Sequence, residues 1–115
     1  MTKFQALAAA SILTLIAVPS LAQDAALTGD NQMTLYTFDK DSGTESACYD
    51  DCAVNWPPYL VKDGETKGDE WSKTQRKDGS MQWTYEGHPL YYYIEDKAAG
   101  EMKGEGKGGV WHVAK

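Results

Sequence analysis

The apolar pattern of this 115-residue chain changes character near residue 23. Before it, an apolar run from Phe4 to Val18 follows Lys3 and leads into Pro19 and the small-residue pattern Ser20-Leu21-Ala22. That layout predicts a secretory signal peptide over residues 1–22, cleaved after Ala22. The run is shorter than the roughly 20 residues needed to span a bilayer, and Gln23 stands where a lipoprotein would carry its lipid-bearing cysteine. A soluble bacterial protein, periplasmic or secreted and without a membrane anchor, is expected, with a single domain over 23–115.

Beyond residue 23 the pattern becomes short alternations punctuated by glycine and acidic turns, which predicts strands. Ala25 to Thr28, the turn Gly29-Asp30-Asn31 and Gln32 to Phe38 read as a hairpin. In its second strand Met33, Leu35 and Thr37 share one face while Thr34, Tyr36 and Phe38 share the other. Both faces carry bulk, so this strand is expected to be central and covered on both sides. Ser46 is placed to cap a short helical segment running to about Val54, on which Cys48 and Cys52 would share a face. Trp56-Pro57-Pro58 ends that helix and enforces an extended path. Lys62 to Glu70 reads as a polar loop. A meander follows, with strands Trp71 to Arg76, Met81 to Tyr85 and Pro89 to Ile94 joined at Asp78-Gly79 and Glu86-Gly87. After a glycine-rich loop over Glu101 to Gly109, Val110 to Ala114 closes the chain as a strand. The expected fold class is mainly β: a small antiparallel sheet or sandwich of two related halves with one short disulfide-stapled helical turn.

The two halves come from a pattern written twice. Leu35-Tyr36-Thr37-Phe38-Asp39-Lys40-Asp41 and Leu90-Tyr91-Tyr92-Tyr93-Ile94-Glu95-Asp96 both read Leu-Tyr-x-aromatic-x-x-Asp, and a glycine follows each. The copies extend over about 27–60 and 81–113. In a strand Tyr36 and Phe38 point to one face, as do Tyr91 and Tyr93, while Asp41 and Asp96 fall just past the strand ends, where a carboxylate can accept backbone N–H groups. The first reading is an aromatic core ladder ended by an Asp turn. The second is a paired ligand site at a pseudo-twofold interface.

Composition supports the first. After residue 22 only 10 Leu, Ile, Val and Phe residues remain, a share low enough to raise the question of disorder. Seven Tyr and four Trp answer it, since each ring can bury roughly 150 to 250 Å². All 17 acidic residues and all but Lys3 of the 11 basic ones lie after residue 22, giving that part a net charge of −7. With no basic patch, nucleic acid is excluded as a partner.

Cys48 and Cys52 are read as a disulfide, the expected state in an oxidising compartment. The loop they close is so short that the chain-entropy gain is only about 2 kcal/mol. A redox-active pair or thiolate metal ligation is the alternative, but Cys-x-x-Cys chemistry and haem attachment both fail on spacing.

Several ordered segments resemble a known family. Leu35-Tyr36-x-Phe38-x-x-Asp41, Cys48-x-x-x-Cys52, Trp56-Pro57-Pro58, Thr84-Tyr85-x-Gly87-x-Pro89-Leu90-Tyr91-x-Tyr93-x-x-Asp96 and Gly109-Val110-Trp111-His112-Val113 are similar to the bacterial secreted repeats of unknown function, predicted lipoproteins with a Tyr-x-(Phe/Trp/Tyr)-x-x-Asp motif. The resemblance runs from about Leu27 to Val113 and implies no biochemical activity. This chain departs from it in lacking the lipoprotein cysteine and in carrying Lys103 where a calcium loop would need an oxygen ligand.

The functional expectation is therefore a non-catalytic binding or interaction module without a cofactor, its partner a small molecule, a metal ion or an envelope protein. Met81, His88, Met102 and His112, with Met33, are donors of the kind that bind copper or another transition metal, though none has tight ligand spacing. Aromatic rings would suit a cell-wall glycan. Catalysis has the least support: no Gly-x-Ser-x-Gly, phosphate loop or His-Glu-x-x-His is present. If a site exists, it is expected where the copies differ, around Cys48 to Trp56 and Met81 to His88.

Overall fold

The computed structural model describes residues 25–115; the expected signal peptide and its cleavage point lie outside them. The described residues form a mainly β structure. Its regular elements are β1 (Tyr36–Phe38), α1 (Asp51–Asn55), β2 (Trp71–Gln75), β3 (Met81–Tyr85), β4 (His88–Pro89) and β5 (Trp111–Val113), with irregular 3-10 turns at Asp30–Gln32 and Lys107–Gly109. β1 and β5 make one antiparallel sheet and β2-β3-β4 another. Among the described residues no helix is long and apolar enough to cross a membrane.

Isolated bridges join the two sheets. Tyr36 pairs with Tyr91 by reciprocal N–H to carbonyl bonds of 2.8 and 3.0 Å, and Tyr91 pairs on its other side with Pro58. Tyr36 pairs on its other side with Val113 in β5. Adding 55 to a residue number in the first copy converts one set of contacts into the other. The Ala114 N–H donates to Leu35 and the Tyr59 N–H to Leu90, each at 2.9 Å. Likewise the Asp39 N–H donates to Val110 and the Ile94 N–H to Asn55, at 2.8 and 2.9 Å. The hairpins preceding the motifs also correspond, Thr28 bridging Thr34 and Thr84 bridging Pro89, with one residue fewer in the second turn. The copies are therefore related by a pseudo-twofold axis between Tyr36 and Tyr91. They are also interlocked, because the closing strand of each lies against the motif strand of the other.

Both faces of the first motif strand are covered, as its alternation requires. Leu35 packs with Tyr59, Trp83, Leu90 and Ala114, while Tyr36 packs with Cys48, Trp56, Tyr91, Trp111 and Val113 on the opposite side. Aromatic rings supply most of the bulk in each cluster, so the scarcity of aliphatic residues does not leave the chain without a core.

Three elements differ from the sequence expectation. The first hairpin reduces to the Thr28–Thr34 bridge and β1, with Gln32 drawn into the 3-10 turn instead of the strand. The helix is confined to Asp51–Asn55, and Ser46 does not cap it. Ser46 is buried instead, its Oγ bonding the Tyr91 hydroxyl at 2.6 Å and accepting from Arg76 Nη1 at 3.1 Å. A hydroxyl competent to cap a helix is equally competent to satisfy buried donors, and here the tertiary partners win. The last meander strand shrinks to His88–Pro89, after which Tyr91 leaves to bridge the first copy. The Cys48–Cys52 disulfide is present at the start of α1, and Cys48 is fully buried.

Candidate functional site

The repeated motif residues converge at the pseudo-twofold axis, and the two copies exchange partners there. Tyr36 of the first copy donates its hydroxyl to Asp96 of the second at 2.6 Å, and Tyr91 of the second donates to Asp41 of the first at 2.7 Å. Each carboxylate uses its other oxygen on its own turn: Asp41 accepts the Ala47 N–H at 2.8 Å and Asp96 the Lys103 N–H at 2.9 Å. The acids thus stabilise turns, as expected from their place beyond the strands, and also lock the copies together.

Burial sets the ionisation of this cluster. Tyr36 and Tyr91 have no exposed surface, and loss of hydration pushes both phenols well above the usual tyrosine range, with Asp96 and Asp41 adding to the shift. Burial likewise raises the Asp41 carboxyl, against the opposing influence of the Ala47 N–H, the Tyr91 hydroxyl and the Arg76 guanidinium. Arg76 is itself buried and donates to Ser46, to Gln82 Oε1 at 2.8 Å and to the Cys48 carbonyl at 2.7 Å. A hydrogen-bonded chain Arg76–Ser46–Tyr91–Asp41 therefore links cation to carboxylate through the core, relieving the desolvation of both.

The second motif aromatics and two tryptophans form a stack. Trp56 and Trp111 each lie 20 residues after a motif tyrosine, and their rings are stacked at 3.8 Å with an interplanar angle of 3°. Phe38 covers the outer face of Trp111 and Tyr93 the outer face of Trp56, each at 4.1 Å. The order Phe38, Trp111, Trp56, Tyr93 is symmetric about the axis. Gly104 lets this stack form, since a Cβ there would meet Trp56 at 2.6 Å and Tyr36 at 3.0 Å.

The edge of the stack opens into a groove of about 410 Å³. Trp56 and Trp111 present their edges to it, flanked by Asn55 and Val110, and all four come in symmetry-equivalent pairs. Glu95 and Lys107 supply opposite charges that the pseudosymmetry does not duplicate, and half-buried Tyr93 forms a wall shared with a second depression bounded by Met33, Tyr92 and Ile94. The faces of both tryptophans are covered by neighbouring rings, so a ligand in this groove meets ring edges and the Tyr93 phenol.

The proposed soft-donor residues occupy separate elements: Met81 opens β3, His88 lies in β4, Met102 in the loop before the second 3-10 turn and His112 in β5. His112 places Nε2 at 2.8 Å from Asp39 and Nδ1 at 3.7 Å from Glu105. The Asp39 carboxylate raises the imidazole above its ordinary value of 6.5. Among the described residues no group of three or more His, Cys, Asp or Glu side chains is placed to share a metal ion.

Sequence reasoning brought Tyr36, Phe38, Asp41, Tyr91, Tyr93 and Asp96 to notice and missed Trp56 and Trp111 as counterparts, although their equal spacing from Tyr36 and Tyr91 was the signal. Ser46 and Arg76, which complete the Tyr91 network, carry no such local mark. Neither a search of curated proteins nor one of solved structures found a match. A family described as a secreted repeat of unknown function matches residues 24–59 and 72–115, closely following the two interlocked copies. The chain belongs to that family of secreted repeats.

Proposed function

We propose that this protein is a non-catalytic binding module of the bacterial periplasm or exterior, and that its ligand-facing surface is the groove over the edge of the Trp56–Trp111 stack. The observation that carries this reading is the composition of the groove: its floor comes from equivalent positions in both copies, while its charged rim, Glu95 and Lys107, is unique. A floor centred on a symmetric pair of tryptophans with an asymmetric polar rim is an arrangement that fixes one orientation of a small ligand. The disulfide ties up both thiols and removes them as nucleophiles, which supports binding over catalysis.

A cell-wall glycan fragment is the proposed ligand class, because its hydroxyls match the Tyr93 phenol, Asn55, Glu95 and Lys107 that surround the ring edges. Titration with soluble peptidoglycan fragments should give saturable quenching of tryptophan fluorescence. Glu95→Ala or Lys107→Ala, both at exposed positions, should weaken it by roughly tenfold each, the loss of one rim hydrogen bond. A flat titration, or unchanged affinity in both variants, overturns the assignment.

A further inference from the structure

Away from the groove, three aromatic rings converge on the Lys67 ammonium group, and one of them, Trp83, also has Lys73 Nζ 5.4 Å from its centroid. Lys67 Nζ lies 4.7 Å from the Trp71 ring centroid and 5.3 Å from those of Tyr59 and Trp83. Trp71 and Trp83 stand at 85° to each other and make two walls, with Tyr59 as the third. Glu65 accepts the Trp83 indole N–H at 3.2 Å and brings a carboxylate to the cage. Lys67 makes none of the ion pairs within 4.0 Å among the described residues, and three ring faces lie within 5.3 Å of its ammonium.

We infer that Tyr59, Trp71 and Trp83 form a binding site for a quaternary ammonium group, and that Lys67 is a tethered occupant that such a ligand displaces. A cation within about 6 Å of several ring faces is held by their quadrupoles, and methylated ammonium groups suit such cages because they have no N–H to leave unsatisfied. A primary ammonium does have them, and ring faces offer those N–H groups no lone-pair acceptor. Lys67 is the weaker occupant for that reason. It sits in the loop between Val61 and Trp71, with Gly64 and Gly68 on either side, so it can leave without disturbing a strand. Lys67 and Trp71 fall in the segment between the two family-matched repeats, while Tyr59 and Trp83 lie within them. None of its residues lines the groove.

The test is titration of the whole secreted chain with choline, followed by tryptophan fluorescence and by the indole N–H signals of Trp71 and Trp83. Lys67→Ala should bind choline about tenfold or more tighter than the unaltered protein, because an internal competitor lowers apparent affinity by the fraction of time it occupies the site. Adding Trp71→Ala to that variant should abolish the response. Phosphatidylcholine vesicles form a second arm: a response to them as well as to choline assigns a lipid headgroup, and a response to choline alone a free solute. If Lys67→Ala keeps its circular dichroism yet shows no saturable change, or binds no tighter than the parent, the cage is only a clamp on the loop. Should Lys67→Ala fail to fold, the unaltered protein decides: saturating choline must shift both indole signals, and their constancy overturns the inference.

Discussion

At the scale of single residues, the exchange between Tyr36–Asp96 and Tyr91–Asp41 has a measurable energetic and pH signature. Tyr36→Phe removes the donor to buried Asp96 and the acceptor of the Gly104 N–H, which lies 3.1 Å from the phenol oxygen. Leaving two buried groups short of a partner should cost about 2 kcal/mol in urea unfolding at neutral pH. The difference from the unaltered protein should then shrink in alkali. In the unfolded chain Tyr36 ionises at its ordinary value of 10.0, whereas burial and Asp96 keep it neutral to higher pH in the folded state. Its contribution is therefore complete below pH 10 and is lost by about 1.4 kcal/mol per pH unit as pH climbs from there towards the folded value. A gap that stayed constant between pH 9 and 11 would show that the Tyr36 hydroxyl is not sequestered. The phenylalanine variant also separates the two duties of Asp96, since its bond to the Lys103 N–H survives.

At the scale of elements, the stack and the turn beneath it are interdependent. Gly104→Ala places a methyl group 2.6 Å from Trp56, a ring held on both faces. It should destabilise by about 1–3 kcal/mol, the usual cost of overpacking. Gly68→Ala, whose added carbon meets nothing nearer than the Glu65-loop neighbour Glu70 at 3.8 Å, should be close to neutral. Thermal melts of the two variants make the comparison, and equal melting temperatures would mean that the stack yields. These elements also show what a sequence exposes. The alternation through Leu35 and Tyr36, the break at Trp56-Pro57-Pro58 and the hairpin at Glu86-Gly87 are local signals, and the structure has the expected elements at all three. Ser46 misleads because capping and core hydrogen bonding call for the same hydroxyl. The length of the final meander strand is decided by Tyr91 reaching across to Tyr36, a contact between residues far apart in the chain that no window of sequence contains. The motif residues were thus legible as a set, while the crossing of Tyr36 to Asp96 rather than Asp41 depends on how the copies lie against each other.

At the scale of the whole molecule, each motif strand finds both of its backbone neighbours in the other copy: Tyr36 lies between Val113 and Tyr91, and Tyr91 between Pro58 and Tyr36. Neither copy can complete its core alone. Severing the chain in the exposed loop, to give 23–64 and 65–115, should yield two fragments that are unfolded as monomers. Mixed at equal concentration they should recover the near-ultraviolet circular dichroism of the intact aromatic stack. A fragment that folded as a monomer would disprove the interdependence. The interlocking also has an evolutionary reading. A solitary repeat of this kind could satisfy its strands only with a second molecule of itself, as a symmetric homodimer. Fusing two of them converts that concentration-dependent assembly into an intramolecular one, with the 60–71 segment setting the effective concentration. Fusion also releases the halves from being identical. One carries a disulfide and the other does not, Phe38 stands opposite Tyr93, and the tether holds Lys67 and Trp71. In a true homodimer every such change would appear twice, and an asymmetric ligand site at the axis would be out of reach.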